Sequence, residues 1–158
     1  MIAALGIAMV GALIPTVLFA GLLWWFDRYE KEPLTLMGAA TLWGSLAMMA
    51  VTLLRPLALA GGAALFDPLW AGTWGNALML PALEEVIKAL FLAGFFLLYA
   101  REIDSLYDGF LYGALTGFAF AAADTIVGAP ARGWSLEGAF GRTLVLGLAH
   151  AFFTGWIG

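Results

Sequence analysis

Five runs of apolar residues, separated by short polar turns, follow one another along the chain, and none shows the period-2 alternation of a half-wet strand. Each run holds about 17 or more mostly apolar residues, enough to cross ~30 Å of hydrocarbon at ~1.5 Å of helical rise per residue. The pattern predicts spans near 2–26, 35–60, 77–100, 107–129 and 140–157. The expected fold is therefore all-α, a polytopic helical membrane protein with about five transmembrane helices in a single domain over residues 1–158. A β-barrel does not fit this pattern. Trp24-Trp25-Phe26, followed by the charge-dense Asp27-Arg28-Tyr29-Glu30-Lys31-Glu32-Pro33, marks a membrane exit. In the second run, Arg55-Pro56 and Gly61-Gly62 predict a bend or an interfacial turn ahead of a loop carrying Asp67, Trp70 and Trp74. Arg101-Glu102-Ile103-Asp104 forms the turn into the fourth run, and residues 130–138 form the last loop. The fifth run closes at Gly158 without a tail, which predicts truncation at the C-terminus.

Composition supports the membrane reading. With 63% apolar and 11% charged residues there is too little polar surface to cover a water-soluble globule, so membrane lipids are the expected surroundings. Seven Lys and Arg against eleven Asp and Glu leave a net charge of -4, and no basic cluster offers a footprint for nucleic acid. With no cysteine, disulfides, thiolate nucleophiles and Cys-ligated metals are excluded. Carboxylates, hydroxyls and one histidine remain for chemistry. Arg28, Lys31 and Arg101 fall on one side of the membrane, and Arg132, with Arg55 or Arg142, on the other. The positive-inside rule then puts the N-terminus outside.

Ionisable residues inside apolar runs are the strongest pointer to function, because lipid tolerates them only when paired or facing a wet cavity. Glu84, Glu85 and Lys88 lie within the third run, and their i+4 and i+3 spacings bring Lys88 to the face of both carboxylates. An ion pair joining helices is the simpler account, but two adjacent carboxylates for one lysine exceed what pairing requires. In the fourth run Gly109, Gly113, Gly117 and Ala121 recur every four residues, a small-residue ridge for close helix packing. Asp124 falls on the same face as that ridge, while Asp108 at the helix entrance suits a cap or an anchor. His150 sits in the middle of the fifth run. A lone histidine there is most often a hydrogen-bonded core residue, yet helical rise places Glu85, Asp124 and His150 in one layer, ~8–15 Å from one side of the membrane.

These residues resemble the PrsW family of intramembrane proteases, distant relatives of the glutamate-type CAAX prenyl endopeptidases. The likeness rests on patches in order along nearly the whole chain. Residues 27–33 resemble the family's acidic, Tyr-containing segment ending in Glu-Pro. Pro81-Ala82-Leu83-Glu84-Glu85-Val86-Ile87-Lys88 resembles its Glu-Glu-x-x-Lys helix, and Tyr107-Asp108-Gly109-Phe110-Leu111-Tyr112-Gly113 its Asp-Gly-x-x-Tyr-Gly helix entrance. Gly117 through Ile126 stands where the family has a Gly-Phe-Ala-x-x-Glu-Asn stretch, and Arg142 followed by His150-Ala151 resembles its Arg to His-Ala spacing. Two departures stand out. Asp124-Thr125 replaces Glu-Asn, shortening one carboxylate by a methylene, and no later helix with a His and an Asp is present in this sequence.

The resemblance implies a bacterial cytoplasmic (inner) membrane hydrolase that cuts membrane-anchored substrates such as anti-sigma factors by carboxylate-activated water. Glu84, Glu85, Asp124 and His150 are then the candidate catalytic residues, with Lys88, Asp108, Tyr112 and Arg142 in support. A metal version has Glu85, Asp124 and His150 binding zinc, although one His with acids is a sparse donor set. The alternative is an impaired family member that serves as a structural or accessory subunit of a larger membrane complex.

Overall fold

The computed structural model describes residues 2–27 and 31–158; Arg28, Tyr29 and Glu30, within the expected charged exit, lie outside the described residues. Helices account for nearly all of the rest: α1 Ile2–Phe26, α2 Leu34–Leu65, α3 Pro68–Trp70, a π-helical stretch Ala71–Met79, α4 Leu80–Leu98, α5 Leu106–Arg132 and α6 Leu136–Ile157. This is an all-α membrane protein. Helices α1, α2 and α5 are each long and apolar enough to cross a bilayer. Helices α4 and α6, the other two expected spans, carry ionisable side chains along their length: half-buried Glu84 and Glu85 and buried Lys88 on the first, half-buried Arg142 and His150 on the second.

α5 is the centre of the bundle, packing most extensively against α6 and α2 and also against α1. Its residues are buried on every side from Leu111 to Ala122. The glycine ridge explains how α6 approaches so closely. A Cβ on Gly113 would lie 2.6 Å from the Thr154 carbonyl oxygen, and one on Gly117 would lie 2.6 Å from the His150 carbonyl carbon. Only glycine leaves room for the two backbones. On another face the Phe118 ring stacks on Phe19 of α1 at 4.4 Å. Elsewhere, the outward faces of α1 and α2 expose Val17, Leu18, Leu53 and Leu57, a surface suited to lipid.

The helix ends follow local chemistry. Ser105 and Asp108 close a capping box at the start of α5, so Asp108 is the cap its position predicted. Gly133, in the left-handed conformation at φ 60°, ends the same helix. The region from 56 to 79 departs from expectation. α2 runs unbroken through Pro56 and Gly61-Gly62, and the predicted loop at Asp67 to Trp74 is helical from Pro68 onward. A proline costs a membrane helix little when neighbouring groups absorb the freed carbonyl, and Gly62 is a seat rather than a break, because the Trp70 ring fills the space its Cβ would take. At ~1.5 Å per residue α2 exceeds the ~30 Å hydrocarbon thickness, so its last turns extend beyond it.

Candidate active site

Lys88 organises the polar interior. It lies one turn after Glu85 on α4, and its Nζ donates to Glu85 Oε1 at 2.5 Å. The same Nζ is 2.8 Å from Nδ1 of His150 on α6, and the Glu85 Oε1 to His150 Nδ1 separation is 3.8 Å. The Lys88 side chain is wholly buried. An ammonium at such a position needs acceptors on several sides. The Phe120 ring of α5 supplies another, its centroid 4.7 Å from Nζ, and the ring meets the His150 imidazole edge to face at 5.3 Å. Three helices therefore bring Glu85, Lys88, Phe120 and His150 to one point, and the close seat of Gly117 against the His150 backbone sets the height of the imidazole.

The two oxygens of Glu85 differ. Oε1 is held by Lys88, whereas Oε2 is buried and has no hydrogen-bond partner among the described residues. A buried carboxylate oxygen without a donor is costly, and such groups mark places where a water or a substrate proton is accepted. The Glu85 side chain as a whole is 38% accessible, while this oxygen is buried.

Glu84 points elsewhere. It lines a neighbouring pocket of about 120 Å³ together with Asp124, Arg55, Arg132 and Thr52. Asp124 is committed to α6 through a 2.5 Å salt bridge with Arg142, and the next residue repeats the tie, Thr143 Oγ1 donating to Thr125 Oγ1 at 3.0 Å. Asp124-Thr125 and Arg142-Thr143 thus form a two-rung clamp between α5 and α6.

Tyr112 and Asp108 are not part of this locus. The Tyr112 hydroxyl donates to Glu32 Oε2 near the opposite end of α5, about 18 Å from Asp124 by helical rise. Asp108 caps the same helix end. Asp27 Oδ2 accepts from the Glu32 backbone N–H at 2.9 Å, so the α1–α2 connection is pinned onto the start of α5. Burial raises Glu32 above the ordinary glutamate value of 4.5; the Tyr112 hydrogen bond works against that, and the nearby Asp108 and Asp27 work with it.

Sequence reasoning gave no site role to Glu32, Phe120 or Thr143. Glu32 was visible as an acid directly after a span and before a proline. Phe120 carries no signal that separates it from the other aromatic residues of its helix.

The zinc arrangement of Glu85, Asp124 and His150 is not assembled. Asp124 is bound to Arg142, the Lys88 ammonium occupies the place between Glu85 and His150, and no three His, Asp or Glu among the described residues are grouped to hold a metal ion. The donors among the described residues, as placed, do not fit a resident metal.

Residues 32–158 match the family described as PrsW family intramembrane metalloprotease. A curated relative, Protease PrsW of Geobacillus kaustophilus, is 30% identical over 128 residues, covering 81% of this chain and 53% of that protein. The chain therefore spans about half the length of this relative. No solved structure matches.

Proposed function

The chain belongs to the PrsW family of intramembrane metalloproteases, and we propose that it hydrolyses peptide bonds of membrane-anchored proteins at the locus of Glu85 and His150. The observation that carries this reading is the Glu85 carboxylate, with one oxygen fixed by Lys88, the other buried and unpartnered, and a histidine ring 3.8 Å away. A water delivered to Oε2 gives up its proton there as it attacks the peptide carbonyl, and His150 hydrogen-bonds the carbonyl oxygen as negative charge develops on it. Carboxylate and imidazole thus divide the work. Lys88 holds the carboxylate in place and balances its charge in a medium where an unpaired anion is very costly. The family description names a metal, but the donors here do not converge on one, and no step of this reaction uses it.

In this reading five helices span a bacterial cytoplasmic membrane with the N-terminus outside, and the site lies within the membrane toward its outer face. Substrates of the anti-sigma-factor type, single-span proteins cut near that face, suit this position. One observation favours the second reading, an accessory subunit without activity: Asp124, standing where the resemblance has a longer glutamate, is spent on Arg142. Cleavage of a single-span reporter in proteoliposomes separates the two readings. The protease cleaves it, Glu85→Gln lowers the rate by about 1,000-fold because an amide cannot accept the water proton, and His150→Ala lowers it by about 100-fold. An accessory subunit leaves the reporter intact at every concentration.

A further inference from the structure

We propose that Lys88 is a positioning residue that fixes the protonation pattern of His150, holding Nδ1 as an acceptor so that Nε2 carries the proton and faces the reaction as a donor. The inference rests on the protease reading and assigns the two roles within it: Glu85 is the base and His150 the donor to the oxyanion.

The argument is one of donors and acceptors. An ionised carboxylate accepts hydrogen bonds and donates none, so the 2.5 Å contact between Glu85 Oε1 and Lys88 is made by a lysine N–H. The ammonium has three such protons, and His150 Nδ1 lies 2.8 Å from the same nitrogen. A proton on Nδ1 would set two donors against each other at that distance, so Nδ1 presents its lone pair. Glu85 does not itself set the tautomer, because 3.8 Å is too long for a hydrogen bond to Nδ1. With Nδ1 occupied, a neutral ring has its proton on Nε2. The Phe120 face closes a further side of the ammonium and meets the imidazole, so one ring backs both groups. Lysine here takes the part that a carboxylate or carbonyl plays for many catalytic histidines, with the sign reversed: a fixed donor selects the opposite tautomer.

His150 is the only histidine in the chain, so protein labelled with ¹⁵N in the histidine ring gives one pair of ring-nitrogen signals. In lipid nanodiscs at neutral pH the native protein is expected to show an unprotonated Nδ1 and a protonated Nε2. Lys88→Arg, which keeps a donor, retains that pattern, and Lys88→Met moves protonation onto Nδ1. For Lys88→Met, kcat on the reporter falls by about 100-fold with KM within about twofold, the mark of lost orientation rather than lost binding. A proton on Nδ1 of the native protein overturns the proposal, as does a Lys88→Met spectrum identical to the native one. Should Lys88→Met fail to fold, the native spectrum alone decides. Native protein that shows the expected pattern but never cleaves the reporter leaves the tautomer assignment standing and overturns the protease reading.

Discussion

Glu84 and Glu85 are adjacent in sequence and divided in space. Spacing alone placed Lys88 on the face of both, since i+3 and i+4 neighbours are equally near on a helix surface. The lysine bonds Glu85, whose side chain lies toward His150, and Glu84 is left to the pocket that Asp124 shares. That choice depends on where α6 sits, which helical periodicity does not encode. Asp124 was legible as a residue of the packed face, but its partner was not, because Arg142 read as a boundary charge and as part of a family spacing. The pair is about one-quarter exposed at each side chain, so breaking it costs less than the ~3–5 kcal/mol of a fully buried one. Asp124→Asn is expected to lower stability by about 2 kcal/mol, read from unfolding in mild detergent. The double variant Asp124→Asn with Arg142→Met should lose less than the two single losses together, and strict additivity would show that the clamp does not couple α5 to α6.

Along single elements the sequence was informative wherever periodicity met composition. The small-residue ridge on α5 was read correctly as a packing face, and the capping role of Asp108 followed from its place at the helix entrance. The stretch between α2 and α4 was misread because proline, paired glycines and tryptophans are turn and interface signals in isolation. In the folded chain Trp70 packs over Gly62 and the helix continues through a π-helical segment into the residues that carry Glu84 and Glu85. Such widened turns often lie near functional residues. The ridge gives a prediction at this scale. Gly117→Ala puts a methyl against the His150 backbone, and is expected to cost about 1–3 kcal/mol and to depress reporter cleavage by shifting the imidazole. Gly21→Ala on α1, where an added Cβ meets nothing within 4 Å, should leave both stability and cleavage unchanged and serves as the control.

Across the whole molecule, polar groups collect at separate levels of α5: the Glu85–Lys88–His150 locus against Gly117 and Phe120 at mid-helix, its neighbouring pocket further on at Asp124, and the Glu32–Tyr112 tie beside the Asp108 cap at the helix start. Sequence depth estimates put Glu85, Asp124 and His150 in one layer; Glu85 and His150 meet, and Asp124 lies with Glu84 in the adjoining pocket. They did not foresee that Tyr112 belongs to the level at the helix start, because its partner lies 80 positions away. That tie carries a pH dependence of its own. Glu32 has a folded value raised above 4.5, so its contribution to stability is fully present below 4.5 and is lost as pH rises through the raised value. The stability difference between the native protein and Glu32→Gln should therefore change over that window in the native protein's favour as pH falls, as measured by thermal unfolding across a pH series. A difference independent of pH would show that Glu32 titrates normally.

The convergence of α4 and α6 at Glu85 and His150 underlies everything said of function, and the absence of native cysteine allows it to be tested without background. A Glu85→Cys, His150→Cys double variant, treated in membranes with a short thiol-to-thiol cross-linker and then cut in the turn between α4 and α5, should stay joined until the bridge is reduced. An Asp124→Cys, Arg142→Cys pair serves as the positive control. If the control is bridged and the Glu85–His150 pair releases two separate fragments, the two residues do not share a site and the account is wrong.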